Sequence, residues 1–184
     1  KGPTNSAGAC RSLYVADLFV KNGISSCICC SISNGKPGFF AYKEGIYYSH
    51  LESLNNKNII SKMKRSFALK KEIIKTLDSF KNKPKYIVIY SVLPLGCVKY
   101  LRKYCQKNNI ELIFDVVEFQ MFRQQKFSSF FNYYLPQTII NKYIIKKDDK
   151  VIVISQYLDK YFKNRGCVVA YIPFVVNNKY IEAI

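Results

Sequence analysis

The sequence contains no tryptophan, a single histidine and only 12 acidic residues. A Ser-His-Asp or Cys-His hydrolase would depend on His50 alone, and no G-x-S-x-G nucleophile motif is present. The G-x-G-x-x-G and Gly-Lys-Ser/Thr patterns are also absent, which argues against a dinucleotide-binding or P-loop site. No apolar run reaches the roughly eighteen residues that a transmembrane helix needs. These absences exclude several common enzyme and membrane-protein classes.

The seven cysteines are odd in number and lie mostly within apolar runs, unlike the paired loop cysteines of small secreted proteins. We expect them to be reduced, buried side chains of a cytoplasmic protein. The cluster "CICC" has no second cysteine pair at zinc-site spacing, so no metal or protein-bound cofactor is predicted for this chain.

The chain carries 29 lysines and arginines and a formal net charge of +17. Such a surface attracts phosphates, anionic lipid headgroups or nucleic acid, although a biased genome would also produce this composition. Residues 57–85 hold ten basic and two acidic residues. We predict either a solvated helix face or a patch that binds the inner face of the plasma membrane. The patch residues are Lys62, Lys64, Arg65, Lys70 and Lys71.

Continuous apolar runs alternate with segments of helical periodicity along the chain. Strands are predicted at 24–33, on both sides of Glu44-Gly45, and at 85–92, 111–117, 150–155 and 167–174. Helices are predicted at 7–23, 57–83, 93–109, 119–135, 137–149 and 156–166. This alternation is typical of a mainly parallel sheet with helices on both faces, the Rossmann-like doubly wound α/β fold. We predict one such domain over residues 1–176, with residues 177–184 beginning a linker.

The opening "KGPTNSAGA" reads as a loop that leads into a helix, and such a loop normally follows a first strand. We therefore expect the first strand to be missing. In open parallel sheets, ligands bind beyond the carboxyl ends of the strands. This rule selects five loops, at 2–11, 31–38, 91–96, 115–119 and 155–156. Their candidate ligand-binding residues are Gly8, Ala9, Arg11, Ser91, Asp115, Glu118 and Ser155.

A helix N-terminus at Gly8 and Ala9, with Arg11 one turn further, would favour a phosphate or carboxylate. A plain strand-to-helix connection is the alternative. The run "ELIFDVVEF" is the second candidate binding segment, because it places two acids, Asp115 and Glu118, at the end of a strand predicted to be buried. One would orient the loop and the other would face a ligand, unless both only cap the next helix.

The order of several short segments resembles the N-terminal domain of family 4 glycosyltransferases, particularly bacterial enzymes of capsule or lipopolysaccharide synthesis. The resemblance covers nearly the whole chain. It is carried by "SAGACRS", "LFVKNGISSCIC", "KPKYIVIYSVLPLG", "NNIELIFDVVEFQ", "KVIVISQYLDKYFKNRGC" and "YIPFVVN".

The resemblance implies a GT-B architecture, in which two Rossmann-like domains face a cleft. It also implies that this domain binds a glycan or lipid-linked acceptor, while a second domain binds the nucleotide-sugar donor. Gly8, Ala9 and Arg11 occupy the family's loop near the donor phosphates, and Glu118 matches its acidic cleft residue. In this interpretation Asp115 holds the loop and Glu118 accepts hydrogen bonds from sugar hydroxyls. Many relatives have a histidine in this loop, and this chain has none.

The resemblance therefore predicts half of a retaining glycosyltransferase, inactive by itself. A nucleic-acid-binding module is one alternative, although no RNP, KH or helix-turn-helix signature supports it. A stand-alone Rossmann domain that binds a small molecule is the other.

Overall fold

The computed structural model describes residues 7–31, 38–43, 45–51, 59–90, 93–118 and 135–173, in two compact units. The first unit comprises Lys1–Ser79 with Phe174–Ile184, and the second comprises Phe80–Pro173. The prediction of a single domain over 1–176 stays a prediction. The predicted linker and residues 119–134 of the helix predicted at 119–135 lie outside the described residues.

The first unit contains two helices and a three-stranded sheet. Its elements are α1 (Ala7–Lys21), β1 (Ser26–Ser31), β2 (Gly38–Lys43), β3 (Ile46–Leu51) and α2 (Ile59–Ser79). The strand order is β1-β3-β2, with β1 parallel and β2 antiparallel to β3. The predicted pair of short strands around Glu44-Gly45 is therefore a hairpin of β2 and β3.

Helix α1 forms because small and apolar residues recur at helical spacing along one face. Leu13, Val15 and Ala16 are buried, and so is Ile46 at the start of β3. The helix ends where Gly23 takes a positive φ of 76° and its N–H donates to the Val20 carbonyl at 2.9 Å. The helix predicted at 7–23 thus ends within two residues of its predicted bound, since glycine at 23 adopts this conformation without a steric penalty.

The second unit is built on a four-stranded sheet. Its elements are β4 (Tyr86–Tyr90), α3 (Leu95–Asn108), β5 (Glu111–Val116), α4 (Leu135–Ile139), a π-helical turn (Ile140–Ile144), β6 (Lys150–Val153), α5 (Gln156–Lys163) and β7 (Val168–Tyr171). The strand order is β4-β5-β6-β7, and every neighbouring pair is parallel. Consecutive parallel strands require crossover connections, and α3 and α5 lie within two of them.

The core of the second unit lies around the two central strands. Ile113, Phe114 and Val116 of β5 are buried, as are all of β6 after its first residue. Four consecutive buried positions in β5 point to both faces of the sheet, so both faces of that strand are covered. The buried residues of α3 are Cys97, Val98, Leu101 and Cys105.

Two arginines hold the segment between the π-helical turn and β6. The Arg102 guanidinium donates to both carboxylate oxygens of Asp149 at 2.9 and 2.6 Å, and to the Ile144 carbonyl at 2.7 Å. Arg165 donates to the carbonyls of Asn141, Lys142 and Ile145. These bonds satisfy carbonyls that the end of the helix leaves unpaired.

The structure confirms a mixed α/β fold with parallel strands, here arranged in two small sheets. The further prediction of one doubly wound Rossmann-like sheet stays a prediction. The helix predicted at 137–149 is shorter than expected, since it spans α4 and the π-helical turn and ends at Ile144. Among the helices in the described ranges, none is long and apolar enough to cross a membrane.

Candidate functional site

The carboxyl edge of the second unit's sheet carries several polar residues. Asp115 lies near the end of β5 and pairs in register with Tyr90 of β4 and Ile152 of β6. Glu118 follows β5 by two residues, and Ser155 follows β6 by two residues. Parallel strands bring these ends to the same edge, where α/β folds commonly bind ligands.

Asp115 lies in a pocket at this edge. Only 5% of the surface of Asp115 is exposed, which is unusual for a residue with a carboxylate, and the residue has an interaction partner as such burial requires. The pocket is lined by Ile89, Phe114, Asp115, Val116, Val117, Gln137, Ile140 and Asn141. Its cavity volume is about 20 Å³. Because a cavity needs roughly 10–15 Å³ to hold one water, this one accommodates about one water-sized group and no sugar ring.

Asn141 is the second buried polar residue of the pocket, with 3% of its surface exposed. It lies in the π-helical turn, a rare geometry that is frequent at functional sites. Arg165 donates to its backbone carbonyl, which fixes the backbone at this position.

Gln137 lines the same pocket and contacts Glu118, the next residue but one after β5. The Gln137 side-chain nitrogen donates to the Glu118 backbone carbonyl at 2.8 Å, which ties α4 to the end of β5. Glu118 itself is exposed, so its carboxylate is accessible from solvent. Its predicted role in sugar binding stays a prediction.

Ser155 is the N-cap of α5. Its hydroxyl oxygen accepts a hydrogen bond from the Leu158 N–H at 3.3 Å, and its backbone is extended, as is usual for an N-cap. The hydroxyl therefore has a structural role in starting the helix. Its predicted contact with a ligand stays a prediction.

The predicted anion-binding residues Gly8, Ala9 and Arg11 belong to the first unit, in the first turns of α1. Arg11 is only 2% exposed and has interactions in the structure. A buried guanidinium must be paired, so this side chain supports the packing around α1 whether or not it also meets an anion. The phosphate site stays a prediction, and Ser91 lies outside the described residues.

The predicted basic patch lies on helix α2. Lys71 is exposed and Lys70 is half-buried. For Lys62, Lys64 and Arg65 the structure describes the helical backbone alone. Membrane binding by this patch stays a prediction.

The cysteines of the described residues include no disulfide. Cys97, Cys105 and Cys167 are buried, whereas Cys29 is exposed. Burial raises the pKa of the Cys105 thiol to about 11 and also raises the pKa of Cys167, so both are poor nucleophiles near neutral pH. Among the described residues, no group of three or more His, Cys, Asp or Glu side chains could hold a metal ion.

Sequence reasoning selected Asp115 and Glu118 but missed Gln137 and Asn141. Both amides lie in a segment that reads as an ordinary amphipathic helix, "QTIINKYII". The available signal was a polar Asn141 placed between apolar residues that the helix buries. Its proximity to Asp115 depends on the fold and has no local sequence signature.

We compared the chain with protein-family models, with curated proteins and with solved structures, and none of the three comparisons gives a match.

Proposed function

We propose that this chain is the acceptor-binding half of a retaining glycosyltransferase, which transfers a sugar from a nucleotide sugar to a lipid-linked or polysaccharide acceptor. In this proposal the chain forms a Rossmann-like domain that binds the acceptor, and a second domain binds the donor. The observation that carries it is that two buried polar residues, Asp115 and Asn141, line one small pocket, and that Gln137 of the same pocket is hydrogen-bonded to the exposed Glu118. These residues lie at the carboxyl edge of an all-parallel sheet.

The residues at this edge suit a polyhydroxylated ligand. Carboxylates and amides are the groups that bind sugar hydroxyls, because together they accept and donate hydrogen bonds. The pocket itself is too small for a sugar ring, so the acceptor would lie across its rim and contact Glu118. The net charge of +17 also favours an acceptor that carries a diphosphate or lies at an anionic membrane surface.

In the proposed reaction, an acceptor hydroxyl oxygen forms a bond to the anomeric carbon of the donor sugar. The bond between that carbon and the phosphate oxygen breaks, the nucleoside diphosphate leaves, and the hydroxyl proton passes to the leaving phosphate. This domain contributes by positioning the hydroxyl, which lowers the entropic part of the barrier. Glu118 would accept a hydrogen bond from the acceptor and fix its orientation.

The test measures release of nucleoside diphosphate by the full-length protein that contains this chain. A panel of nucleotide sugars is offered with undecaprenyl diphosphate-linked acceptors. We expect Glu118→Gln to lower transfer by about tenfold to hundredfold, the usual value of a hydrogen bond to a charged group. The variant's unfolding free energy should change by less than about 0.5 kcal/mol, since the side chain is exposed.

Glu111→Gln is the matched control, because Glu111 lies at the opposite, amino end of the same strand. It forms a half-exposed ion pair with Lys150, which is worth little, and its loss should leave transfer unchanged. Turnover of Glu118→Gln equal to that of the wild type would remove Glu118 from the site. Failure of the wild-type protein to consume any nucleotide sugar would overturn the proposed function.

A further inference from the structure

Two cysteines of strand β1 lie on the same face of the first unit's sheet. Cys27 and Cys29 are two positions apart, and alternate side chains of a strand point to the same face. The Ser26 hydroxyl donates to the Ala16 carbonyl of α1 at 3.3 Å, so the other set of side chains, which begins at Ser26, faces that helix. Cys27 and Cys29 therefore point away from α1.

The face that carries the two thiols, called the open face below, is accessible to solvent. Cys29 is exposed and Cys27 is half-buried. Tyr47 of β3 pairs in register with Cys27, and 36% of its surface is exposed. Strand β1 lies at one end of the strand order β1-β3-β2 of the described sheet. An ion from solvent can therefore reach this pair without opening the core.

The two thiols interact with each other. A hydrogen bond from Cys27 stabilises the thiolate of Cys29 and lowers the pKa of that thiol. The thiolate is the form of cysteine that binds metals. Burial has the opposite effect at two other cysteines, since it raises the pKa of Cys105 to about 11 and also raises that of Cys167. The pair on β1 is therefore better suited to bind a metal than those two cysteines.

The spacing of the pair suits a bridging metal better than a disulfide. Strand β1 pairs with β3 in unbroken register from Ser26 to Ser31, and residues two apart on a regular strand are separated by about 6.6 Å. A disulfide requires Cβ atoms about 3.5–4.5 Å apart, so it would distort the strand. Two metal–sulfur bonds of about 2.3 Å join sulfurs up to about 4.6 Å apart. The two side chains reach that separation by leaning toward each other.

Two thiolates at this spacing also limit the class of metal. Structural zinc and iron–sulfur clusters take four ligands, whereas the described residues offer no group of three or more. Cu(I) is a soft ion that prefers thiolates, and two of them in a linear arrangement satisfy it. The resulting complex carries one negative charge, which a chain with a formal net charge of +17 stabilises.

We propose that Cys27 and Cys29 form a binding site for one Cu(I) ion, held between their two sulfur atoms on the open face. Binding releases the Cys27 thiol proton, and the metal replaces the hydrogen bond between the thiols. No electron is transferred, because copper enters and remains as Cu(I). The sequence-based expectation of no metal rests on the spacing of four-ligand zinc sites, which a two-ligand site does not need. The site belongs to the first unit and is independent of the proposed sugar transfer.

The experiment measures Cu(I) binding by the protein that contains this chain, in anaerobic titrations against the coloured competing ligand bicinchoninate. We expect the wild-type protein to withdraw one Cu(I) per chain at this site. Cys27→Ser and Cys29→Ser should each lower the affinity by about a hundredfold or more, because the second thiolate acts at a high effective concentration. Neither side chain belongs to the buried core, so both variants should fold, which circular dichroism checks.

Cys10→Ser is the matched control, since Cys10 is a half-buried cysteine on α1 of the same unit. This variant should bind Cu(I) like the wild type. X-ray absorption at the copper edge should show two sulfur neighbours in a linear arrangement, and this shell should be lost in Cys29→Ser.

The outcomes bear on the copper site alone. Cu(I) binding that depends on Cys27 and Cys29 but not on Cys10 supports the site, whether or not the protein consumes a nucleotide sugar. Unchanged affinity in folded Cys27→Ser or Cys29→Ser overturns it, and so does a copper shell with fewer than two sulfurs. Failure of the wild-type protein to compete with bicinchoninate also overturns it.

Discussion

The two units of this protein both contain parallel strands, but their sheets differ in how completely they are buried. In the second unit, four consecutive residues of β5, from Ile113 to Val116, are buried. In the first unit, the described side chains of β1 are half-buried, and Cys29 is exposed. A continuous apolar run thus gives a strand covered on both faces, whereas "SCICCS" gives a strand that is only partly covered.

The deeper burial of β5 affects where a binding site can form. A strand that is buried on both faces can place a carboxylate such as Asp115 in apolar surroundings at its end, where a hydrogen bond is strong. The first unit buries a charge as well, at Arg11, but there the guanidinium lies within the first turns of a helix. The second unit is therefore the one in which we place the candidate site.

The largest expected effect concerns the two cores. Phe162 of α5 is completely buried in the second unit, and Leu13 of α1 is nearly so in the first. Phe162→Ala should lower the unfolding free energy by about 4 kcal/mol and Leu13→Ala by about 3 kcal/mol, because each leaves a cavity. Urea denaturation measures both losses, and amide hydrogen exchange locates them.

We expect exchange to increase most in β6 and β7 for Phe162→Ala, and in α1 and β3 for Leu13→Ala. The exposed Tyr157→Ala substitution on the same helix as Phe162 serves as the control and should cost less than about 1 kcal/mol. If Phe162→Ala were no more destabilising than Tyr157→Ala, the α5 side of the second unit would not be a packed core.

The next effect concerns ion pairs. The side chains of Arg102 and Asp149 are 20% and 17% exposed, and they form a two-point contact in the second unit. Arg102→Leu should cost about 3 kcal/mol, since it leaves Asp149 without its cation and the Ile144 carbonyl without a donor. In the first unit, Lys21 is 68% exposed in its pair with Asp17. Lys21→Leu should therefore cost less than about 0.5 kcal/mol.

A double-mutant cycle with Asp149→Asn measures the coupling directly. Coupling of about 2 kcal/mol is expected for Arg102 and Asp149, and near zero for Lys21 and Asp17→Asn. Similar coupling in both pairs would mean that the lower exposure of Arg102 and Asp149 does not strengthen their interaction.

Much of the fold was predictable because its signals are local. The strands of the second unit are short apolar runs, and each was predicted within a few residues of its observed bounds. The Asn-Gly end of α1 and the hairpin turn at Gly45 follow from the conformational freedom of glycine. The arrangement of the strands in two small sheets has no local signal, because the pairing of β1 with β3 depends on contacts between distant residues.

Only part of the candidate site was predictable, because only part of it has a local sequence signal. Asp115 and Glu118 were found because acids at the end of a buried strand are visible in one short run. Gln137 and Asn141 were missed, since about twenty residues separate them from that run and only the fold brings them together. The π-helical turn that carries Asn141 has no distinctive composition.

The smallest expected effect concerns two glycines with almost the same backbone conformation, Gly45 in the first unit and Gly166 in the second. Their φ angles are 73° and 75°, so an alanine at either position adopts a left-handed conformation that costs about 1 kcal/mol. At Gly45 an added Cβ would also lie 2.9 Å from Cγ1 of Val20, a stiff β-branched side chain. At Gly166 it would lie 3.0 Å from Cγ of Lys147, whose long exposed side chain can move away.

Gly45→Ala should therefore cost about 2 kcal/mol and Gly166→Ala about 1 kcal/mol, measured by urea denaturation. The double variant Gly45→Ala/Val20→Ala tests the cause, because removing the valine methyl groups should make the Gly45 substitution no worse than that at Gly166. Equal costs for the two single variants would mean that Val20 moves as freely as Lys147. The hairpin turn of the first unit would then be no more tightly packed than the loop after α5.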